Sequence, residues 1–299
     1  ATLPANARPT RATVEQVYDQ IVADLNDGLD LLAADKKQYK GYMGYYGNLA
    51  LQARVKLYMD DYAGALAAAR EVIESGVFTL YPPAEWADSW ATQFGSESIF
   101  ELGVYAAEAD LGTASLGFYL MRYGLQRGAA GWFLASDAFL NRLDEDPTDV
   151  RHAVMYQDES ETTRMGSCSK YMGGPDMAGD GKETATSVNI KVIRLSEVYL
   201  IAAEAALGSG DASGAADYLN AIRCRAAGLP PATADNISVD MILDERGKEL
   251  FAEGHRFFDM MRLNRSITYN DDFGGIAVTG RPQTIDRTFG KIVLPISQD

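Results

Sequence analysis

Cysteine and histidine are the scarcest chemistry in this chain, with two of each among 299 residues. Cys168 and Cys224 are too few for a disulfide scaffold, and their spacing leaves open whether they pair. His152 and His255 leave little room for metal or triad chemistry, and both read as satisfied or exposed side chains. Basic charge is short as well: 27 Lys and Arg stand against 42 Asp and Glu, a formal net charge of −15. Binding to a nucleic-acid backbone needs a Lys/Arg footprint that releases counterions, so no nucleic-acid partner is expected. Long apolar runs are missing too. The best stretch, Leu195–Leu207, is interrupted by Ser196, Glu197 and Glu204, which rules it out as a bilayer span. No Gly-x-Ser-x-Gly elbow, phosphate loop, Rossmann fingerprint or His-Glu-x-x-His occurs, which argues against an enzyme. The opening Ala1-Thr2-Leu3-Pro4 has no initiator Met, basic n-region or apolar h-region, and reads as the start of a processed protein or of an excised piece.

What is present is a normal globular balance, 47% apolar and 23% charged, enough for a core in one or two domains. Residues 1–12 read as an extended opening segment. A helix should begin at Thr13, where Thr13 and Gln16 form a capping box. Its apolar stripe runs Val14, Val17, Tyr18, Ile21, Val22, Leu25, Leu29 and Leu32. A helical hairpin follows: Leu49–Met59, a turn at Asp60-Asp61-Tyr62, and Ala63–Glu74 closed by Gly76. Ala50, Ala53, Ala65 and Ala69 sit where two backbones would approach, in the manner of tetratricopeptide hairpins. The pattern returns in Leu195–Leu207, the turn Gly208-Ser209-Gly210-Asp211, and Ala212–Ala227, with Gly228 as the left-handed residue past the helix end. Aligning the turns places Asp61 over Asp211, Ala65 over Ala215 and Ala53 over Ala203. A last long helix is predicted from Ser238 to Asn264, with Gly254 in close contact with a neighbouring helix. The chain thus divides into 13–80, a loop-rich aromatic insert at 81–190, a second helical part at 191–264 and a tail at 265–299, all one body. Within the insert, Ile99–Leu102 reads as a short strand and Ser136–Leu143 as a short helix, with a surface loop at Gly166–Gly181. The fold class is mostly α with few short strands.

The candidate chemistry is sparse. Glu245, Glu249 and Glu253 form a ladder at helical spacing, but Arg246, Arg256 and Arg262 are interleaved with it, so structural ion pairing is the simpler reading. Asp144, Asp146 and Asp149, or Asp176, Asp180 and Glu183, are the only groups suggesting calcium. Neither has the full rhythm of a calcium loop, and both read as solvated acidic loops; no cofactor is expected. The aromatic content says more. Sixteen Tyr and three Trp include a set in the insert: Trp86, Trp90, Tyr105, Tyr119, Tyr123 and Trp132. A ring face with a polar tip suits a wet surface and stacks on the C–H faces of a sugar. These six are the candidate ligand-binding residues.

Several segments together carry a resemblance. Ile193-Arg194-Leu195-Ser196-Glu197-Val198-Tyr199-Leu200-Ile201-Ala202-Ala203-Glu204-Ala205 is similar to the IRLAEVYLxxAEA motif of the SusD/RagB family. Leu219-Asn220-Ala221-Ile222-Arg223 with Arg225-Ala226-Ala227-Gly228-Leu229 resembles its LNxIRxRAGL stretch. Asp244-Glu245-Arg246, Glu249-Leu250, Glu253-Gly254-His255-Arg256, Phe258-Asp259 and Arg262 resemble its ER…EL…EGxRxxDxxR helix. Leu294-Pro295-Ile296 resembles its carboxyl-terminal PIP. Ala53-Arg54-Val55-Lys56-Leu57-Tyr58 with Asp61-Tyr62 and Ala65, and Ser96–Glu101, fit as well.

The resemblance implies a SusD-like, tetratricopeptide-type architecture. It also implies a non-catalytic outer-membrane lipoprotein of Bacteroidetes that binds oligo- or polysaccharide and passes it to a SusC-like TonB-dependent transporter. Family members carry an acylated amino-terminal cysteine and a helical half ahead of the region matched here, so this chain reads as a carboxyl-terminal portion whose lipid anchor lies elsewhere. Within the motifs, Arg194, Glu197, Glu204, Glu245, Arg246, Glu249, Glu253, Arg256, Asp259 and Arg262 are expected to form structural ion pairs. The alternatives are a peptide-binding member of the same family and a helical-repeat scaffold for protein partners. A glycosidase would need two carboxylates facing a cleft.

Overall fold

A computed structural model of the chain describes residues 11–104, 114–121, 130–158, 163–171, 188–270 and 280–293. In chain order the helices are α1 (Val14–Leu32), α2 (Tyr45–Tyr58), α3 (Tyr62–Glu74), α4 (Pro83–Trp86), α5 (Leu116–Leu120), α6 (Asp137–Leu143), α7 (Leu195–Gly208), α8 (Ala212–Arg223), α9 (Val239–Glu249) and α10 (Arg256–Arg262). The strands are β1 (Ser98–Leu102), β2 (Met155–Tyr156), β3 (Ser167–Cys168), β4 (Ile190–Arg194), β5 (Ile267–Thr268) and β6 (Thr284–Ile285), paired β1–β4, β2–β3 and β5–β6. The protein is mostly helical, as the periodicity predicts.

The two hairpins are built alike down to the turn. In α2–α3 the residue before the cap, Asp60, takes φ 58°, and the Asp61 carboxylate accepts the Gly64 N–H at 2.9 Å. In α7–α8 the same places are held by Gly210, φ 86°, and Asp211, which accepts the Gly214 N–H at 2.8 Å. Each Asp thus satisfies a helix-start donor that would otherwise lack a partner. The hairpins stack through α3 against α7, and the seam is lined by alanines: Ala50, Ala53, Ala65, Ala69, Ala202, Ala205, Ala206 and Ala215 are all fully buried. At Gly208 a Cβ would lie 2.6 Å from the Tyr62 ring, so the close approach of α3 to the end of α7 depends on glycine there.

Four features differ from the sequence expectations. The stripe of α1 is covered only in part. Leu25, Leu29 and Leu32 are half-buried, whereas Val14 and Val17 are exposed, because the contact with α2 falls on the later turns of this helix. Gly228 is not left-handed; its N–H donates to the Asp146 carboxylate at 2.7 Å, and α8 ends at Arg223. Gly166 is buried rather than on a surface loop, and its carbonyl accepts the Ala135 N–H at 2.8 Å.

The fourth is the largest. The predicted helix Ser238–Asn264 is two helices, broken at 250–255. Ala252 (φ 64°) and Gly254 (φ 85°) both enter the left-handed region, and Gly254 is exposed with open space where a Cβ would stand. Its glycine therefore serves the turn and not a helix contact. The break has a partner-based cause. The carbonyls of Glu249, Phe251 and Ala252 accept from buried side chains, Lys170 Nζ at 3.0 and 2.8 Å and the Tyr171 hydroxyl at 3.3 Å.

The part of the insert after residue 102 leaves and rejoins the helical stack through the antiparallel β1–β4 pair, with Leu102 opposite Ile190 and Glu101 opposite Lys191. It has its own apolar cluster around Trp86, Trp90, Leu143, Val154, Cys168 and Tyr171. Cys168 and Cys224 are both free, and burial pushes the Cys168 thiol up to about 11.

Candidate functional site

The six aromatic candidates separate into different environments. Trp86 and Trp90 are 0% and 5% exposed, so they are core residues rather than ligand contacts. They meet edge to face at 6.0 Å and lie beneath buried cations: Lys170 Nζ is 4.5 Å from the Trp90 ring, the Arg194 guanidinium 4.9 Å from it, and the Arg225 guanidinium 5.5 Å from Trp86. The negative face of an indole stabilises a desolvated cation, which is the role these rings have here. Tyr105 and Tyr123 lie outside the described residues.

Trp132 and Tyr119 are brought together. Ser115 caps α5 by accepting the Phe118 N–H at 3.1 Å, and the end of α5 then receives the segment 130–133. Ala130 and Gly131 donate to the Phe118 carbonyl at 2.8 and 3.1 Å, and Phe133 donates to the Tyr119 carbonyl at 3.0 Å. Gly131, at φ 59°, supplies the left-handed residue this crossing needs. The result is a cluster of four rings. Trp132 lies 5.9 Å from Phe118 and 5.6 Å from Tyr119, and Tyr119 lies 5.3 Å from Phe133. Phe118 and Tyr119 support from below, while Trp132 and Phe133 are 68% and 62% exposed. Two large rings held open to water by two others form a platform. The sequence reading omitted Phe118 and Phe133, although the dipeptide Trp132-Phe133 directly after a glycine was the available signal.

The charged motif residues lie elsewhere, between the insert and the helices. Arg194 donates to Glu97 (3.1 Å), Glu249 (3.0 Å) and Glu253 (2.8 Å). Arg225 joins Glu97 at 2.5 Å and also Glu249. Arg151 joins Asp149 and Glu245, each at 2.6 Å, and Lys170 joins Glu253 at 2.8 Å. Around the adjoining helices Glu197 pairs with Arg54 at 2.6 Å, Glu204 with Arg262 at 2.7 Å, and Asp259 with Arg246 at 2.9 Å and Arg262 at 2.8 Å. Arg256 departs from the pattern: it donates to the Leu243 carbonyl at 3.1 Å rather than to a carboxylate. Glu97, Arg151, Lys170 and Arg225 were not among the expected ion pairs because the carboxylates or cations that join them to this cluster lie tens of residues away.

Burial alone would raise the Glu197 carboxyl, but Arg54 and His255 outweigh it and hold it down at about 2. Glu245, Glu253 and Asp259 are likewise held below the ordinary carboxylate range by their guanidinium and ammonium partners, against the opposing effect of burial. A carboxyl whose folded pKa lies below its unfolded value stabilises the fold above the unfolded pKa and loses that contribution as pH falls through the folded one. Thermal midpoints should therefore fall steeply between about pH 4.5 and 2, Glu197 alone accounting for ~3 kcal/mol. A flat midpoint across that window in a calorimetric pH series would refute this assignment.

Of the two acidic groups, Asp176, Asp180 and Glu183 lie outside the described residues. Asp144, Asp146 and Asp149 are each engaged separately: Asp144 with His152 (3.0 Å), Asp146 with Thr148 and Gly228 (both 2.7 Å), and Asp149 with Arg151 (2.6 Å). Among the described residues no cluster of three His, Cys, Asp or Glu could hold a metal ion, and no helix is long and apolar enough to cross a membrane.

These features define a class: a stack of tetratricopeptide-type hairpins bearing an insert with an exposed aromatic platform. The SusD family model matches residues 145–298, more than half the chain, and the chain belongs to that family. A SusD superfamily protein from Bacteroides thetaiotaomicron is 31% identical and superposes with a TM-score of 0.83 over 97% of this chain and 65% of that one. A SusD-like protein from Formosa agariphila is 23% identical over 92% of this chain and 62% of its own. Surface glycan-binding protein A from Bacteroides thetaiotaomicron, solved with laminarihexaose, shares the fold at 21% identity and TM-score 0.64, over 84% of this chain and 62% of that one. The chain thus spans somewhat under two thirds of the length of these relatives.

Proposed function

We propose that this chain is the part of a non-catalytic glycan-binding protein that presents the Trp132–Phe133 platform to an oligo- or polysaccharide at the cell surface. The full-length protein would be lipid-anchored in the outer membrane and would deliver the glycan to a SusC-like TonB-dependent transporter. The observation that carries the reading is the exposure of Trp132 and Phe133 over a fixed base of Phe118 and Tyr119. A folding protein would bury such rings if packing were their only role, since each removes a large apolar area from water. Held open, they offer flat apolar faces to the C–H faces of sugar rings, while the formal charge of −15 favours neutral cargo. The glycan-bound relative of the same fold supports the same reading.

The test is calorimetric titration of neutral oligosaccharides into the chain and into its Trp132→Ala variant. The variant should bind about tenfold more weakly, an aromatic contact being worth roughly 0.5–1.5 kcal/mol beyond its buried area. Its thermal midpoint should stay put, because an exposed side chain contributes little to stability. Equal affinity in both proteins, or no binding by either, overturns the proposal.

A further inference from the structure

A cavity of about 270 Å³ opens beside α6, five residues along the chain from Trp132. At roughly 30 Å³ per liquid water it would hold about nine, near the lower end of small-molecule sites, so it fits one ring rather than a chain. One wall is apolar, with Leu140, Met155 and Met165. The rim is polar: Asn141 and Thr163 make no side-chain hydrogen bond among the described residues, and the Asp144 carboxylate stands largely in solvent. His152 orients that carboxylate. Its Nδ1 lies 2.9 Å from the Asp149 carbonyl and its Nε2 3.0 Å from Asp144 Oδ1. The far wall is fixed by Arg164, which donates to Asp137 at 2.9 Å, to Asp158 and to the Ala135 carbonyl. That last bond ties the cavity to the strand of chain carrying the platform. Across 132–137 even a fully extended chain spans only about 17 Å, so a single oligosaccharide can reach both places.

We infer that this cavity is a second subsite, taking one neutral sugar ring from a glycan that lies on Trp132. The inference rests on the platform reading above. The apolar wall packs against the C–H face of the ring, Asn141 and Thr163 exchange hydrogen bonds with its hydroxyls, and Asp144 accepts from one of them. The carboxylates of Asp137 and Asp144 select against uronic or sulfated sugars, whose charge would face them without a free cation among the described lining residues, Arg164 being engaged with Asp137 and Asp158.

The experiment uses the tightest binder from a panel of neutral hexasaccharides (laminari-, malto-, cello- and xylo-series), titrated into the chain and into Thr163→Trp, Asn141→Trp and Trp132→Ala variants. Each tryptophan fills the cavity from its exposed rim. In parallel, methyl spectra of labelled methionine follow Met155 and Met165 in the unaltered protein, so that a poorly folded variant cannot blunt the test. The expected result is about tenfold weaker hexasaccharide binding in both filled variants, with the Met155 and Met165 methyls shifting as ligand is added. If the filled variants bind normally and the methyls stay still while Trp132→Ala loses affinity, the subsite is wrong and the platform stands. If the methyls shift and Trp132→Ala binds normally, the platform is wrong and the cavity stands. If the unaltered chain binds none of the panel, both fall. A uronic-acid hexamer that binds as tightly as the neutral one overturns the assignment to a neutral ring.

Discussion

Replacing Glu249 by alanine should destabilise the protein by about 3–5 kcal/mol, a large part of the ~5–15 kcal/mol that holds a typical domain. Its carboxylate is fully buried and receives Arg194 at 3.0 Å and Arg225 on the same oxygen, with Arg151 3.7 Å from the other. Three guanidinium groups meet there, and burial disfavours every one of them unless a negative charge is present. With Glu249 gone, Arg194 keeps Glu97 and Glu253 and Arg151 keeps Asp149 and Glu245, so the deficit falls hardest on Arg225, left with Glu97 alone. Denaturant titration is the measurement. A loss below about 1 kcal/mol, the range of exposed ion pairs, would show that the cluster is hydrated rather than closed.

Trp86→Ala is expected to cost about as much, ~3–5 kcal/mol, for a different reason. The indole is fully buried, so truncation opens a cavity; it also removes the ring beneath Arg225 and Lys170. The same substitution should leave the proposed glycan binding unchanged in the molecules that remain folded, since Trp86 belongs to the inner cluster and Trp132 to the surface one. Stability from a melting curve and affinity from calorimetry separate the two effects. Retained stability with lost binding would return Trp86 to the list of ligand contacts.

The comparison of Trp86 with Trp132 shows where sequence stops being informative. Local rules reached far: the Thr13–Gln16 capping box, both hairpins with Asp61 and Asp211 at equivalent places in their turns and the strand at Ile99–Leu102 are all in the structure. Each of those depends on neighbours within a few residues. Whether an indole is covered depends on what folds over it, and Trp86 is covered by Lys170 and Arg225, 84 and 139 positions later. The broken helix at 250–255 has the same cause. The Glu249–Glu253 spacing reads as continuous helix, and the carbonyls are drawn out of register by Lys170 and Tyr171 from the insert. Trp132 was legible as a residue type suited to sugar, but its support Phe118 and its exposed neighbour Phe133 became apparent only through the backbone bonds that dock 130–133 on α5.

The β1–β4 pair has a consequence for how such a molecule can diversify. Because Leu102 and Ile190 face one another across the ladder, everything between them is a cassette with its two ends held side by side. A different insert can be accommodated at that doorway, provided it brings equivalents of Arg151, itself held by Asp149, and of Lys170 to meet Glu245, Glu249 and Glu253. Two cations and three glutamates therefore act as the plug and socket of an exchangeable insert. The insert can be rewritten while the helical frame keeps its sequence.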